Sequence, residues 1–165
     1  MQTRILAFLL ICSCLSTASA TIEDHSFTLY LIRHAEKKQD GSRDPELTEI
    51  GIQRSEKLAV WFSKKNIKDV WSSDYKRTRD TAKPILTELN VELNLYDPGN
   101  LPLLSEKLMS RQHAAVVVGH SNTTPDLARL LCDCVIEDMD ESEHSRLIVI
   151  KVNGDETQVQ ILRQQ

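Results

Sequence analysis

From Phe27 onward, short apolar runs alternate with longer stretches of helical periodicity, and no repeat or low-complexity linker interrupts them. A parallel strand pair needs a crossover connection, usually a helix, so this alternation is the mark of βαβ units. Strands are predicted over Phe27–Ile32, Ile67–Trp71, Val91–Tyr96 and Ala114–Val118. The last of these is apolar throughout, as suits a strand buried on both faces. Helices are predicted after the N-cap Thr48 to about Lys65, with Leu58, Trp61 and Phe62 on the buried side, and after a cap at Ser73 or Asp74. Pro84 is expected to kink or interrupt that second helix, because it has no amide hydrogen to give. Leu101–Gln112 follows as a third helix, and Thr124-Pro125-Asp126 reads as N-cap, N1 proline and acidic first turn of a fourth reaching about Leu131. Leu147–Val152 and Gln158–Leu162, joined through Asn153-Gly154-Asp155, read as a closing hairpin. The expected architecture is a three-layer α/β sandwich around a mostly parallel sheet, forming one domain over 21–165.

The first twenty residues are a separate object. Arg4, the apolar run Ile5–Leu15 and the small residues Ala18-Ser19-Ala20 make the three regions of a secretory signal peptide, with cleavage near Ala20. The apolar run is about half of the ~20 residues a membrane-spanning helix needs, so no stable span is expected in the mature chain. The protein is therefore expected to be periplasmic or secreted. Lipoprotein processing at Cys14 is a variant that Ile11-Cys12-Ser13 suits only loosely. Cleavage leaves Cys132 and Cys134, which read as small apolar side chains or a local disulfide at a helix end; their redox state stays open. A formal charge of −4 argues against the basic footprint that nonspecific nucleic-acid binding requires.

Ligands of open parallel sheets bind beyond the carboxyl ends of the strands. There the chain places Arg33-His34-Ala35-Glu36, Ser72-Ser73 ahead of Arg77, and Gly119-His120-Ser121-Asn122. Two histidines and two arginines would rim one crevice. A guanidinium offers a fixed fork of donors that matches a phosphate, and it stays charged at any working pH. A neutral imidazole can attack phosphorus and carry the phosphoryl group as a phosphohistidine, dividing one hard transfer into two easier ones. Surrounding positive charge lowers its pKa and keeps it nucleophilic. A second histidine, if protonated, can stabilise the equatorial oxygens.

The stretches Leu31-Ile32-Arg33-His34-Ala35-Glu36-Lys37, Leu47-Thr48-Glu49-Ile50-Gly51, Ser72-Ser73-Asp74-Tyr75-Lys76-Arg77-Thr78-Arg79-Asp80-Thr81-Ala82 and Val117-Val118-Gly119-His120-Ser121-Asn122 resemble, in order and spacing, the histidine phosphatase (phosphoglycerate mutase-like) superfamily. The resemblance implies that fold, with His34 as the phosphorylated nucleophile and His120 as the second catalytic histidine. It places Arg33 and Arg77 in the phosphate pocket, with Asn122 and Glu36 among the substrate-binding positions. The departure is Ala35, where the family's name motif has glycine. For the proton donor, Asp97 stands where larger members place a carboxylate, with Glu36 as the alternative. Asp97-Pro98-Gly99 is also turn chemistry in its own right, and Glu36 also reads as an exposed partner of Lys37 or Lys38. His25, His113 and His144 fall outside the motifs and read as surface residues, and Arg79 as solvating its helix. Asn122-Thr123-Thr124 fits a glycosylation pattern in a place unsuited to modification.

The function this predicts is an exported phosphatase, independent of metal and of any cofactor, hydrolysing a small phosphomonoester such as a sugar phosphate. Its partner is that small phosphorylated substrate; oligomeric state is left open. The alternatives are a phosphohistidine phosphatase acting on protein, a mutase, disfavoured by the short chain, and a non-catalytic module that binds phosphate.

Overall fold

The computed structural model describes residues 26–164. The expected leader, with Cys12, Cys14 and the cleavage site, lies outside them, as does His25. Six strands and four helices follow one another: β1 (Ser26–Arg33), α1 (Glu49–Phe62), β2 (Asp69–Ser73), α2 (Lys76–Leu89), β3 (Leu93–Tyr96), α3 (Leu101–Arg111), β4 (Ala115–Gly119), α4 (Thr123–Cys132), β5 (Arg146–Asn153) and β6 (Glu156–Arg163). They build one sheet of order β3-β2-β4-β1-β5-β6.

The sheet is mixed, which corrects the expectation of a mostly parallel one. The pairs β3–β2, β2–β4 and β4–β1 are parallel, whereas β1–β5 and β5–β6 are antiparallel. A hairpin turning through Gly154, at φ +59°, can only join antiparallel strands. The direction of β5 has a further cause. After α4 the chain returns to the carboxyl end of β1, where Arg33 donates to the carbonyls of Asp140 and Glu143, so β5 starts where β1 ends and Leu147 pairs with Ile32.

Alternation along the strands divides the core into two layers, one on each side of the sheet. Leu29, Leu31, Val117, Ile148 and Ile150 pack against Leu104 and Leu108 of α3 and Leu127 and Leu131 of α4. Ile32, Val70, Val116, Val118 and Val149 pack against Leu58 and Phe62 of α1 and Ala82 and Ile85 of α2. The three-layer arrangement is the expected one.

Local signals held unevenly. Thr48 caps α1, its hydroxyl accepting from the Gly51 amide at 3.1 Å. At α2 the N-cap position falls to Tyr75, without a side-chain cap bond, rather than to Ser73 or Asp74. Ser73 is the last residue of β2, and its hydroxyl bonds elsewhere. Pro84 does not end α2, because Thr78, Thr81, Ala82 and Ile85 bury a continuous stripe on both sides of it. α4 starts two residues earlier than its threonine-proline signal suggests, with Asn122 rather than Thr124 in the cap position. At its far end Asp133 takes a left-handed φ of 48°, bringing the Cα atoms of Cys132 and Cys134 to 5.1 Å, and the two are joined as a disulfide. Among the described residues no helix is long and apolar enough to cross a membrane.

Candidate active site

Because β1, β2 and β4 are mutually parallel through β4, their carboxyl ends lie on one edge, and Arg33-His34, Ser73 and Gly119-His120 come together there. The His34 amide donates to the Gly119 carbonyl at 2.9 Å, which fixes the nucleophile candidate to the end of β4. The Ala35 amide donates to Thr81 Oγ1 at 2.9 Å, tying the same turn to α2.

The hydrogen bonds set the state of each imidazole. His34 is buried, and its Nδ1 lies 2.7 Å from the Ala35 carbonyl oxygen. A carbonyl only accepts, so Nδ1 carries the proton and Nε2 presents its lone pair. Burial pushes the His34 pKa down to about 3; the Ala35 bond opposes this, while the charges of Arg33, His120 and Arg77 add to it. His34 is a neutral base at neutral pH.

His120 places Nε2 2.9 Å from Ser73 Oγ and Nδ1 3.4 Å from Arg77 Nη2. A guanidinium only donates, so Nδ1 accepts and Nε2–H donates to the serine. Burial, then Arg77 and Arg33, hold the His120 pKa down to about 4. The protonated His120 considered from sequence is not the state found here. The His34 and His120 rings lie 5.6 Å apart, edge to face.

The two arginines divide the work unequally. Arg77 stacks on the Tyr75 ring at 4.5 Å, and its buried Nε and Nη1 have no hydrogen-bond partner; Asp44 Oδ1 stands 3.5 Å from Nη1. Arg33 spends Nη1 on the Asp140 and Glu143 carbonyls and Nη2 on Glu141 at 3.0 Å, while its buried Nε lacks a partner. Arg33 thus holds a loop, which a pocket arginine was not expected to do. Buried donors without partners are costly, and an acceptor anion would relieve that cost. Beside Arg77 and His120 opens a cleft of about 320 Å³ lined by Tyr75, Arg77, Pro98, Gly99, His120, Asn122 and Thr123; Arg33 and His34 are not among its lining residues.

The carboxylates expected at the site are occupied elsewhere. Asp97 is exposed and folds its Oδ1 back onto the Gly99 amide at 2.8 Å, so Pro98 and Gly99 reach the cleft wall while the carboxylate closes a turn. Glu36 is gripped by Arg54 at 2.7 to 3.0 Å rather than by Lys37 or Lys38, and Lys38 pairs with Glu46. Burial favours the neutral acid of Glu36, but the Arg54 hydrogen bonds and charge outweigh it and hold the pKa below the usual range. Glu36 is therefore held as a carboxylate by Arg54 in this structure.

Three residues of the site escaped the sequence reading. His144, expected on the surface, is half-buried with Nδ1 3.0 Å from the His34 carbonyl oxygen. Glu141 bridges Arg33 and Ser121, and Tyr75 forms a cleft wall. For His144 and Glu141 the missing signal was strand direction: only an antiparallel β5 beside β1 starts at the edge where β1 ends and brings its preceding loop there. His113 is exposed beside Asp69, and Arg79 pairs with Asp74 in solvent, both as expected.

Residues 29–98 match the family described as the histidine phosphatase superfamily, branch 1, a stretch that includes Arg33, His34, Arg77 and Asp97 and stops before β4. A probable phosphatase of Schizosaccharomyces pombe is 34% identical over 88 residues, which are 49% of this chain and 31% of the relative, so the chain spans about a third of that protein's length. The protein histidine phosphatase SixA, solved with tungstate, is 20% identical with a TM-score of 0.70, covering 83% of this chain and 97% of that one. A mycobacterial glucosyl-3-phosphoglycerate phosphatase, solved with VO3, is 15% identical with a TM-score of 0.69, covering 84% of this chain and 100% of that one. The sequence matches support the histidine phosphatase superfamily, and the structural likeness shows the same fold.

Proposed function

We propose that this chain, as a member of the histidine phosphatase superfamily, is an exported, metal-independent phosphatase that works through a covalent phosphohistidine on His34. The observation that carries the reading is the pairing of a neutral His34, its Nε2 lone pair free, with buried guanidinium nitrogens on Arg33 and Arg77 that lack partners. The phosphate of the substrate accepts from those donors, and His34 Nε2 attacks phosphorus as the bond to the leaving oxygen breaks. Water then attacks phosphorus from the vacated side, the P–N bond breaks, and the electron pair returns to Nε2. The arginine charges stabilise the transferring group in both steps. His120 and Asn122 border the substrate in the cleft. The small phosphomonoester read from sequence stays the first substrate class, and the names of the two phosphatases similar to this fold span both sugar-linked phosphates and protein phosphohistidine.

A second reading rests on a specific observation. Asp97, Glu36 and Glu141 are each held by a backbone amide or an arginine. With those carboxylates engaged, a leaving group that departs without strong acid help, as imidazole does from phosphohistidine, suits the site better than an alkoxide.

The experiment expresses the full chain, identifies the N-terminus of the exported fraction, and assays that fraction with an aryl phosphate, an alkyl phosphate and phosphohistidine after chelation. Export with cleavage gives Thr21 at the N-terminus, and the phosphatase reading gives turnover that survives chelation and falls to background in His34→Ala. Phosphohistidine turned over far faster than the alkyl phosphate selects the second reading. Turnover retained in His34→Ala would overturn the mechanism.

A further inference from the structure

The loop between α4 and β5 does more than close the fold, because four hydrogen bonds tie it to Arg33 and His34. The carbonyls of Asp140 and Glu143 accept from Arg33 Nη1, the Glu141 carboxylate accepts from Nη2, and His144 Nδ1 donates to the His34 carbonyl at 3.0 Å. The His34 ring accordingly has an imidazole on each flank, His120 at 5.6 Å and His144 at 5.8 Å. The two differ in proton inventory. His120 has both nitrogens engaged, by Ser73 and Arg77, whereas His144 spends Nδ1–H on a carbonyl and keeps Nε2 free of a protein partner among the described hydrogen bonds. Since Nδ1 must hold a proton to make that bond, Nε2 becomes a donor only when the ring is a cation.

We propose that His144 is a third imidazole of the phosphate pocket, whose Nε2–H, present only in the cationic ring, donates to an oxygen of the bound anion and tightens the grip in acid. The inference rests on the phosphoryl-pocket reading of Arg33, Arg77 and His34. In the free protein His144 faces Arg33 and His34 at the end of β1, Glu36 after it, Arg54 from α1, and Glu141 from its own loop. Burial and the two arginines disfavour the cation, while the His34 bond and Glu36 favour it, and the balance lies below the usual histidine range. A dianion between the rings shifts that balance upward, so binding takes up a proton at His144 by linkage.

The test is calorimetric binding of tungstate, a tetrahedral dianion, from pH 7.5 to 5.5, in buffers of different ionisation enthalpy so that proton uptake is read directly. Binding is measured rather than turnover, so it reports even on a chain that catalyses nothing. The wild type is expected to gain affinity as pH falls, approaching about tenfold per pH unit, the limit for one proton. In His144→Asn the amide nitrogen keeps the bond to the His34 carbonyl but cannot ionise, and both the slope and the proton uptake are expected to shrink to a small remainder. A wild-type slope retained in His144→Asn, or wild-type binding without proton uptake, overturns the proposal. No tungstate binding by the wild type at any pH overturns the pocket reading beneath it.

Discussion

At the scale of single residues, the site depends on atoms that touch no substrate. Gly51 sits in the first turn of α1, with its backbone pressed against the Glu36 carbonyl: a Cβ there would stand 2.3 Å from that oxygen. The same oxygen accepts from the Thr48 amide at 2.8 Å and its hydroxyl at 3.2 Å, so it has no room to retreat without pulling on the segment two residues after His34. Gly51→Ala should lower unfolding free energy by about 1–3 kcal/mol, the usual cost of overpacking, and reduce kcat as well. Urea titration and steady-state kinetics on one preparation measure both. Wild-type stability would mean that α1 shifts freely, and that the glycine in Leu-Thr-Glu-Ile-Gly is no steric requirement. This close approach explains a motif glycine that the chain pattern marks and cannot itself justify.

At the scale of elements, α2 is the lever that sets the turn after His34. Thr81 Oγ1 accepts from the Ala35 amide at 2.9 Å and donates to the Arg77 carbonyl at 2.7 Å, joining the turn that holds His34 Nδ1 to the helix that carries Arg77. Thr81→Val keeps the volume but leaves the buried Ala35 amide without an acceptor. The expected cost is about 1–3 kcal/mol, with kcat falling more than KM rises, because the turn loosens while the arginine stays. Unchanged kcat would show that the Gly119 bond alone orients His34. Elements were also where the sequence was most and least informative. Strong apolar periods gave all six strands and four helices, and the motifs gave His34, Arg77 and His120 because each follows a parallel strand. The partners of Asp97 and Glu36 were not legible, because a carboxylate's position along the chain says nothing of the amide or arginine that claims it. The place of His144 beside His34 was hidden because it depends on the antiparallel pairing of β5 with β1, a tertiary choice no local period encodes.

At the scale of the whole molecule, the burial that keeps His34 and His120 neutral has a cost in acid. His34 falls to about 3 and His120 to about 4 in the folded protein, against an ordinary 6.5. Between those values and 6.5 the unfolded chain binds more protons than the folded one, so stability is full above pH 6.5 and declines as pH falls toward 4. The carboxylates act lower: Glu36, Glu141 and Glu143 are held below their ordinary values by Arg54, Ser121 and Arg146 against the pull of burial, so their contributions are lost only below about pH 4.5. The window from pH 6.5 to 5 therefore isolates the histidines. There the urea midpoint should drop steadily in the wild type, with unfolding coupled to proton uptake, nearly two protons of it from His34 and His120 at the acid end and a further share from His144, which burial also depresses. It should drop less in a His34→Asn, His120→Gln double variant, whose amides replace two of the three imidazoles without titrating. A double variant as acid-sensitive as the wild type would place the strain outside this pair. If the slope follows the two imidazoles, the sheet edge that gathers His34, His120 and the two arginines is also where acid opens the fold, because the desolvation that keeps both rings neutral is released only on unfolding.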